Sequence, residues 1–103
     1  KLRRFISADA QNTIIRDLGS VLRNRSMNGD VSAIPQLAAW HFALVEPADL
    51  NQAYSWYAVA VALGDSASER ERDELLKQLS PSQVKKAQVD AKAIFNRIKS
   101  GEG

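Results

Sequence analysis

The stretch that most constrains the fold runs from Leu50 to Leu63, where only Asn51, Gln52 and Ser55 are polar. Asp49 in front of it is a good helix N-cap, and Gly64 behind it is a common helix stop, so the stretch reads as one helix. Leu50, Tyr54, Tyr57 and Val61 form one apolar stripe on it, and Ala53, Trp56, Ala60 and Leu63 form a second beside the first. A helix apolar over so much of its circumference must be enclosed by neighbours on several sides. Ala53, Ala58, Ala60 and Ala62 leave room for other backbones to come close. The uninterrupted apolar run, Trp56–Leu63, is eight residues, far short of the roughly 20 that a membrane helix needs. The enclosing elements must therefore come from the rest of the chain. Its 103 residues amount to one domain.

The remaining apolar spacing is helical too, and no stretch alternates like a strand. A first helix is expected over about residues 7–27, with Ile14, Leu18, Val21 and Leu22 as its core stripe and Asn28-Gly29 as its stop. A second is expected over about residues 32–45, capped by Ser32, with Pro35 in its first turn where a missing N–H does no harm. The third is the helix described above. A fourth, about residues 66–79, is mostly charged, with Leu75, Leu76 and Leu79 as its grip and Arg70/Glu74 and Asp73/Lys77 spaced to pair. The fifth opens at Ser80-Pro81-Ser82-Gln83, a capping box with Pro at the first helical position. Val84, Ala87, Ala91, Ile94 and Ile98 form its packed seam, and residues 100–103 form a frayed tail. The fold class is thus all-α with about five helices. The chain divides into an N-terminal helix (1–28), a hairpin (29–65), two capping helices (66–98) and a tail (99–103).

Gly29-Asp30 and Gly64-Asp65 lie 35 residues apart, each just after an expected helix end and just before a new start. A period of this length with two helices per unit is the signature of an α-solenoid of the tetratricopeptide kind. Asp49-Leu-Asn-Gln-Ala53-Tyr-Ser-Trp56-Tyr57-Ala-Val-Ala60-Val-Ala-Leu-Gly64-Asp65 resembles the second helix of a Sel-one-like repeat. In the preceding helix Ala33 and Leu37 sit at favoured family positions, while Ala38 replaces the usual Gly and His41 the usual Tyr. The family's Gly-rich loop is here Val45-Glu46-Pro47-Ala48, one residue shorter. The run from Arg72 through Leu79-Ser-Pro81-Ser-Gln83 to Ala91 resembles the degenerate cap that closes many bacterial members. The resemblance implies a repeat fragment that binds protein partners through a concave face. It also implies a bacterial source and a place in the cell envelope or periplasm, with the cytoplasm as the alternative. The chain opens on Lys1 rather than Met, and is read as the C-terminal part of a longer protein.

Chemistry at single residues is mostly absent. There is no cysteine and one histidine, His41, and no carboxylate stands at ligand spacing from it, so neither a metal nor another cofactor is expected. No Gly-x-Ser-x-Gly elbow and no Gly-rich phosphate loop is present, and the paired carboxylates of residues 69–74 alternate with Arg on a charged helix. A non-catalytic module is expected. The net charge of +2 is made of +3 over residues 1–30, −5 over 31–74 and +4 over 75–103. Gln36, Trp40, His41 and Leu44, on the first helix of the hairpin, are the candidate protein-binding residues, with the acidic middle expected to supply charge complementarity. Trp56 and Tyr57 are expected in the core. The alternative function is contact with nucleic acid or an anionic membrane surface through the basic ends, including Lys1, Arg3, Arg4, Arg16, Arg23 and Arg25. Three carboxylates dilute those charges and Phe5 is the one aromatic residue among them, too few for a stacking platform, which disfavours nucleic acid.

Overall fold

The computed structural model describes residues 8–101. Ser7, Lys1, Arg3, Arg4 and the last two residues of the tail lie outside the described residues. Five helical segments follow one another: α1 (Ala8–Met27), α2 (Ala33–Ala39) running on into a wider π-helical turn (Trp40–Leu44), α3 (Leu50–Ala62), α4 (Ser68–Leu76) and α5 (Pro81–Ser100). No strand occurs among the described residues.

α3 is the hub, touching α2, α4 and α5, as its nearly all-round apolar surface requires. Ala53, Trp56 and Ala60 are fully buried, and Tyr54, Tyr57 and Val59 nearly so. Ile34, Leu37 and Ala38 of α2, Leu75 of α4, and Ala87 and Ala91 of α5 complete the core around it. Small residues make the α3–α5 contact close. The Ser55 hydroxyl is buried between the helices, 3.0 Å from the Ala87 carbonyl of α5 and 2.9 Å from the Asn51 carbonyl one turn back. Asn51 also donates to the Gln83 carbonyl at 3.0 Å. α1 packs on α2 and reaches α5 as well.

Several expected local signals form as written. The Asp49 carboxylate accepts the Gln52 N–H at 3.1 Å. At the start of α5 the Ser80 hydroxyl accepts the Gln83 N–H at 3.2 Å, while the Gln83 side chain accepts the Ser80 N–H at 2.8 Å. Gly29 and Gly64 both have positive φ, +92° and +109°.

The two Gly-Asp connectors share one hydrogen-bond pattern, offset by 35 residues. Gly29 donates to the Ser26 carbonyl and Asp30 to the Arg25 carbonyl; Gly64 donates to Val61 and Asp65 to Ala60. These are the two bonds of a Schellman motif. The next helix then opens alike on both sides, with Ala33 donating to Asp30 and Ile34 to Val31, against Ser68 to Asp65 and Glu69 to Ser66. Each aspartate also binds a serine just downstream, Asp30 with Ser32 at 2.6 Å and Asp65 with Ser68 at 2.8 Å.

Four expectations are corrected. Ser32 makes no side-chain cap for α2; its hydroxyl turns back to Asp30, which also accepts its N–H at 3.2 Å. The second helix does not stay α-helical to Val45. Its last turn widens, with the Val45 N–H reaching the Trp40 carbonyl at 3.1 Å, a π-type bond; Pro47 disfavours helix at Glu46, so the chain leaves here. On α4, Arg72 pairs with Asp73 and Lys77 with Glu74, rather than Arg70 with Glu74 and Asp73 with Lys77. The fourth correction concerns the stripe on α1. Ile14, Leu18 and Val21 are 59%, 41% and 50% exposed, and only Leu22 of that set is buried. α1 instead turns Gly19, Leu22 and Ser26 inward. A Cβ at Gly19 would fall inside the Trp40 ring, so the gap left by glycine, not the most apolar face, decides which side of α1 meets α2.

Candidate functional site

The seam between α1 and the end of α2 is built around Trp40. Its indole lies half-buried over Gly19 and donates from Nε1 to the Ile15 carbonyl at 2.7 Å. That bond fixes the ring plane and satisfies the one polar atom of the side chain. His41 meets the Trp40 ring edge-to-face, with centroids 4.9 Å apart and planes at 83°. Burial holds the His41 pKa below the ordinary imidazole value; Asp49 pulls it up, and the Arg23 charge pushes it further down. The His41 carbonyl accepts the Asp49 N–H at 2.9 Å, tying the widened turn to the start of α3.

Two depressions open along the seam, and both are lined by Trp40 and Arg16. One, about 250 Å³, is walled by Ile15, Leu44 and Val45, with Asn12 and Glu46 at its edge. The other, about 170 Å³, is lined by Leu37, His41, Gly19, Ser20 and Arg23. Of the sequence-derived candidates, Trp40, His41 and Leu44 come together here. Gln36 does not line either depression; its amide donates to the Ser32 carbonyl at 3.0 Å. Leu44 is 44% exposed, and Phe42 beside it is 45% exposed.

The residues missed from sequence are Ile15 and Gly19 of α1, while Arg16 and Arg23 of the same helix were singled out only for the alternative contact with nucleic acid or a membrane surface. The one usable signal was Gly19 itself. A glycine inside a helical pattern marks a close approach more often than a preference for helix. The charged side chains along this seam are Arg16 and Arg23, with Glu46 alone on the acidic side. The acidic residues 69–74 belong to α4 and line neither depression.

A broader depression of about 480 Å³ lies where α3 and α5 begin, lined by Asp49, Asn51, Gln52, Ser82, Gln83 and Lys86. Its polar groups are largely spent, since Asp49 caps α3, Gln83 closes the capping box and Asn51 bonds across to α5. Among the described residues no group of three or more His, Cys, Asp or Glu could hold a metal ion, and no helix is long and apolar enough to cross a membrane.

Fold and seam together define a class: an all-α chain of five helical segments with an aromatic-centred groove between two of them. Comparison with protein-family models, with curated proteins and with solved structures finds no match to this chain.

Proposed function

We propose that this chain is a non-catalytic protein-binding module that takes a partner segment in the groove between α1 and the end of α2, with Trp40, His41 and Leu44 as contact residues. The observation that carries this reading is the pair of depressions meeting at Trp40. A half-buried aromatic ring, held by a hydrogen bond and flanked by an exposed leucine, is the kind of preset apolar anchor on which binding energy concentrates. A ring already fixed in place loses little side-chain freedom when a partner arrives.

The proposal extends to architecture. The connector pattern repeated at 35 residues supports a two-helix repeat of the tetratricopeptide kind, similar to Sel-one-like repeats, with α2–α3 as the hairpin and α4–α5 as a closing unit. On that reading the module orients a bacterial envelope or periplasmic protein within an assembly, and Gln36 belongs to the outer edge of the binding surface.

The test uses the immobilised chain to capture partners from a bacterial lysate, followed by identification and reconstitution of the pair from purified components. Trp40→Ala and His41→Ala are expected to abolish or strongly weaken the reconstituted complex while circular dichroism shows unchanged helicity. A folded double variant that binds as tightly as the parent chain overturns the assignment.

A further inference from the structure

Arg16 and Arg23 stand out because neither forms an ion pair with a described residue. The ion pairs among the described residues are Arg25–Asp30, Arg72–Asp73, Lys77–Glu74 and Lys86–Asp90. Asp49, the carboxylate that acts on His41, is already spent on the α3 N-terminus. The two arginines are seven residues apart on α1, so they share a face at a separation of about 10 Å. Ser20 stands between them, and Trp40 and Leu37 form the apolar back of the same depression. Arg16 also borders the neighbouring depression, which is apolar apart from Asn12 and Glu46.

We propose that this seam recognises a short acidic peptide segment, with carboxylates on Arg16 and Arg23 and a bulky apolar side chain beside Trp40 and Leu44. This rests on the protein-binding reading and names the partner's chemistry. In a polyproline-II peptide, with three residues per turn and a rise of about 3.1 Å each, side chains three residues apart share one face about 9 Å apart, close to the spacing of the two arginines. Planar guanidinium groups bind carboxylates through paired hydrogen bonds. The apolar backing reduces competition from water at that contact.

An acidic peptide fits better than a nucleic acid. The Trp40 ring lies over Gly19 and is engaged with the Ile15 carbonyl, so it is no free stacking platform.

The experiment measures binding of purified chain to three probes by fluorescence anisotropy. One is an acetylated peptide bearing a leucine followed by two glutamates three residues apart. The second is its glutamine-for-glutamate counterpart, and the third is an oligothymidylate. The glutamate peptide is expected to bind, and Arg16→Gln with Arg23→Gln to weaken it by about tenfold or more. Lys85→Gln with Lys92→Gln on α5, of the same charge change, is expected to leave it unaltered. Equal binding of the two peptides, or undiminished binding to the arginine variant, overturns the acidic-segment proposal. If binding in either case is lost on Trp40→Ala, the protein-binding reading survives without it. Absence of binding by both peptides overturns the proposal and leaves the reconstituted complex to judge the wider reading. Oligothymidylate binding tighter than the glutamate peptide, and lost on the arginine changes, overturns it in favour of a nucleic-acid contact.

Discussion

α1 and α3 occupy the same place in the 35-residue register, yet the structure treats them in opposite ways. Each ends in a positive-φ glycine followed by an aspartate, with the same closing hydrogen bonds. Counting back from those glycines, Leu18 and Val21 correspond to Ala53 and Trp56. The α3 pair is wholly buried, while the α1 pair is 41% and 50% exposed. α2, α4 and α5 surround α3, whereas α1 packs on α2 and reaches α5 only in part. Local chemistry is alike at the two connectors, but burial is matched only in part: Gly19 and Leu22 are buried like Tyr54 and Tyr57, while Leu18 and Val21 are not buried like Ala53 and Trp56. A helix terminus is settled by a few neighbouring residues, but a helix face is settled by whatever packs against it.

Substitutions at equivalent positions should break this comparison most sharply in the helix middles. Trp56→Ala is expected to destabilise the chain by about 3–5 kcal/mol in chemical denaturation, because it empties a fully enclosed site. Val21→Ala, 35 residues earlier, is expected to cost under about 0.5 kcal/mol. Similar losses at the two positions would mean that the α1 stripe is covered in solution.

Gly19→Val should come next. The added carbons have no room beside the Trp40 ring, so α1 and α2 must separate. A cost of about 1–3 kcal/mol is expected from such overpacking. The α3 equivalent, Tyr54, already carries a large side chain at that register position, so the need for glycine belongs to α1 alone. The accompanying readout is tryptophan fluorescence compared with the parent chain, to which Trp40 contributes from the seam and Trp56 from the core.

Alanine at Gly29 and at Gly64 should give nearly equal costs of about 1–2 kcal/mol each, because both glycines hold a left-handed conformation and neither Cβ would meet a neighbour. Equal effects would show that the connectors are local units. Unequal ones would mean that the surrounding packing strains one of them.

The smallest effect expected is a pH dependence that belongs to the seam. The His41 pKa is depressed by burial, so the unfolded chain takes up the proton first as pH falls below the ordinary value of 6.5. Stability should therefore decline from about that pH down through the lower folded-state value, and be unaffected by this group above it. His41→Gln is expected to remove that part of the pH slope in denaturation curves collected across the window.

Much of the fold was legible because its signals are local. The Asp49 cap, the Ser80–Gln83 capping box and the glycine stops each depend on a few adjacent residues, and all form. The enclosure of α3 was legible because a helix apolar on nearly all sides has no other stable arrangement in water. The α5 seam followed from spacing, with Ala87 and Ala91 buried and Ile94 and Ile98 packed on the core. The site was legible only in half. Trp40, His41 and Leu44 were singled out, but the α1 residues completing the groove are 17–32 positions away in sequence, and their pairing is set by contact rather than by pattern.

The sequence by itself thus determined five helical segments, where most of them begin and end, and which one lies at the centre. Caps, stops and an all-round apolar helix are consequences of short-range chemistry. Only the tertiary structure decided which face of α1 turns inward, that the last turn of α2 widens, and that Arg16 and Arg23 join Trp40 along one groove. The physical reason lies in packing. The Trp40 ring needs a gap and Gly19 supplies it, and in the packing that results Ile14, Leu18 and Val21 stay exposed.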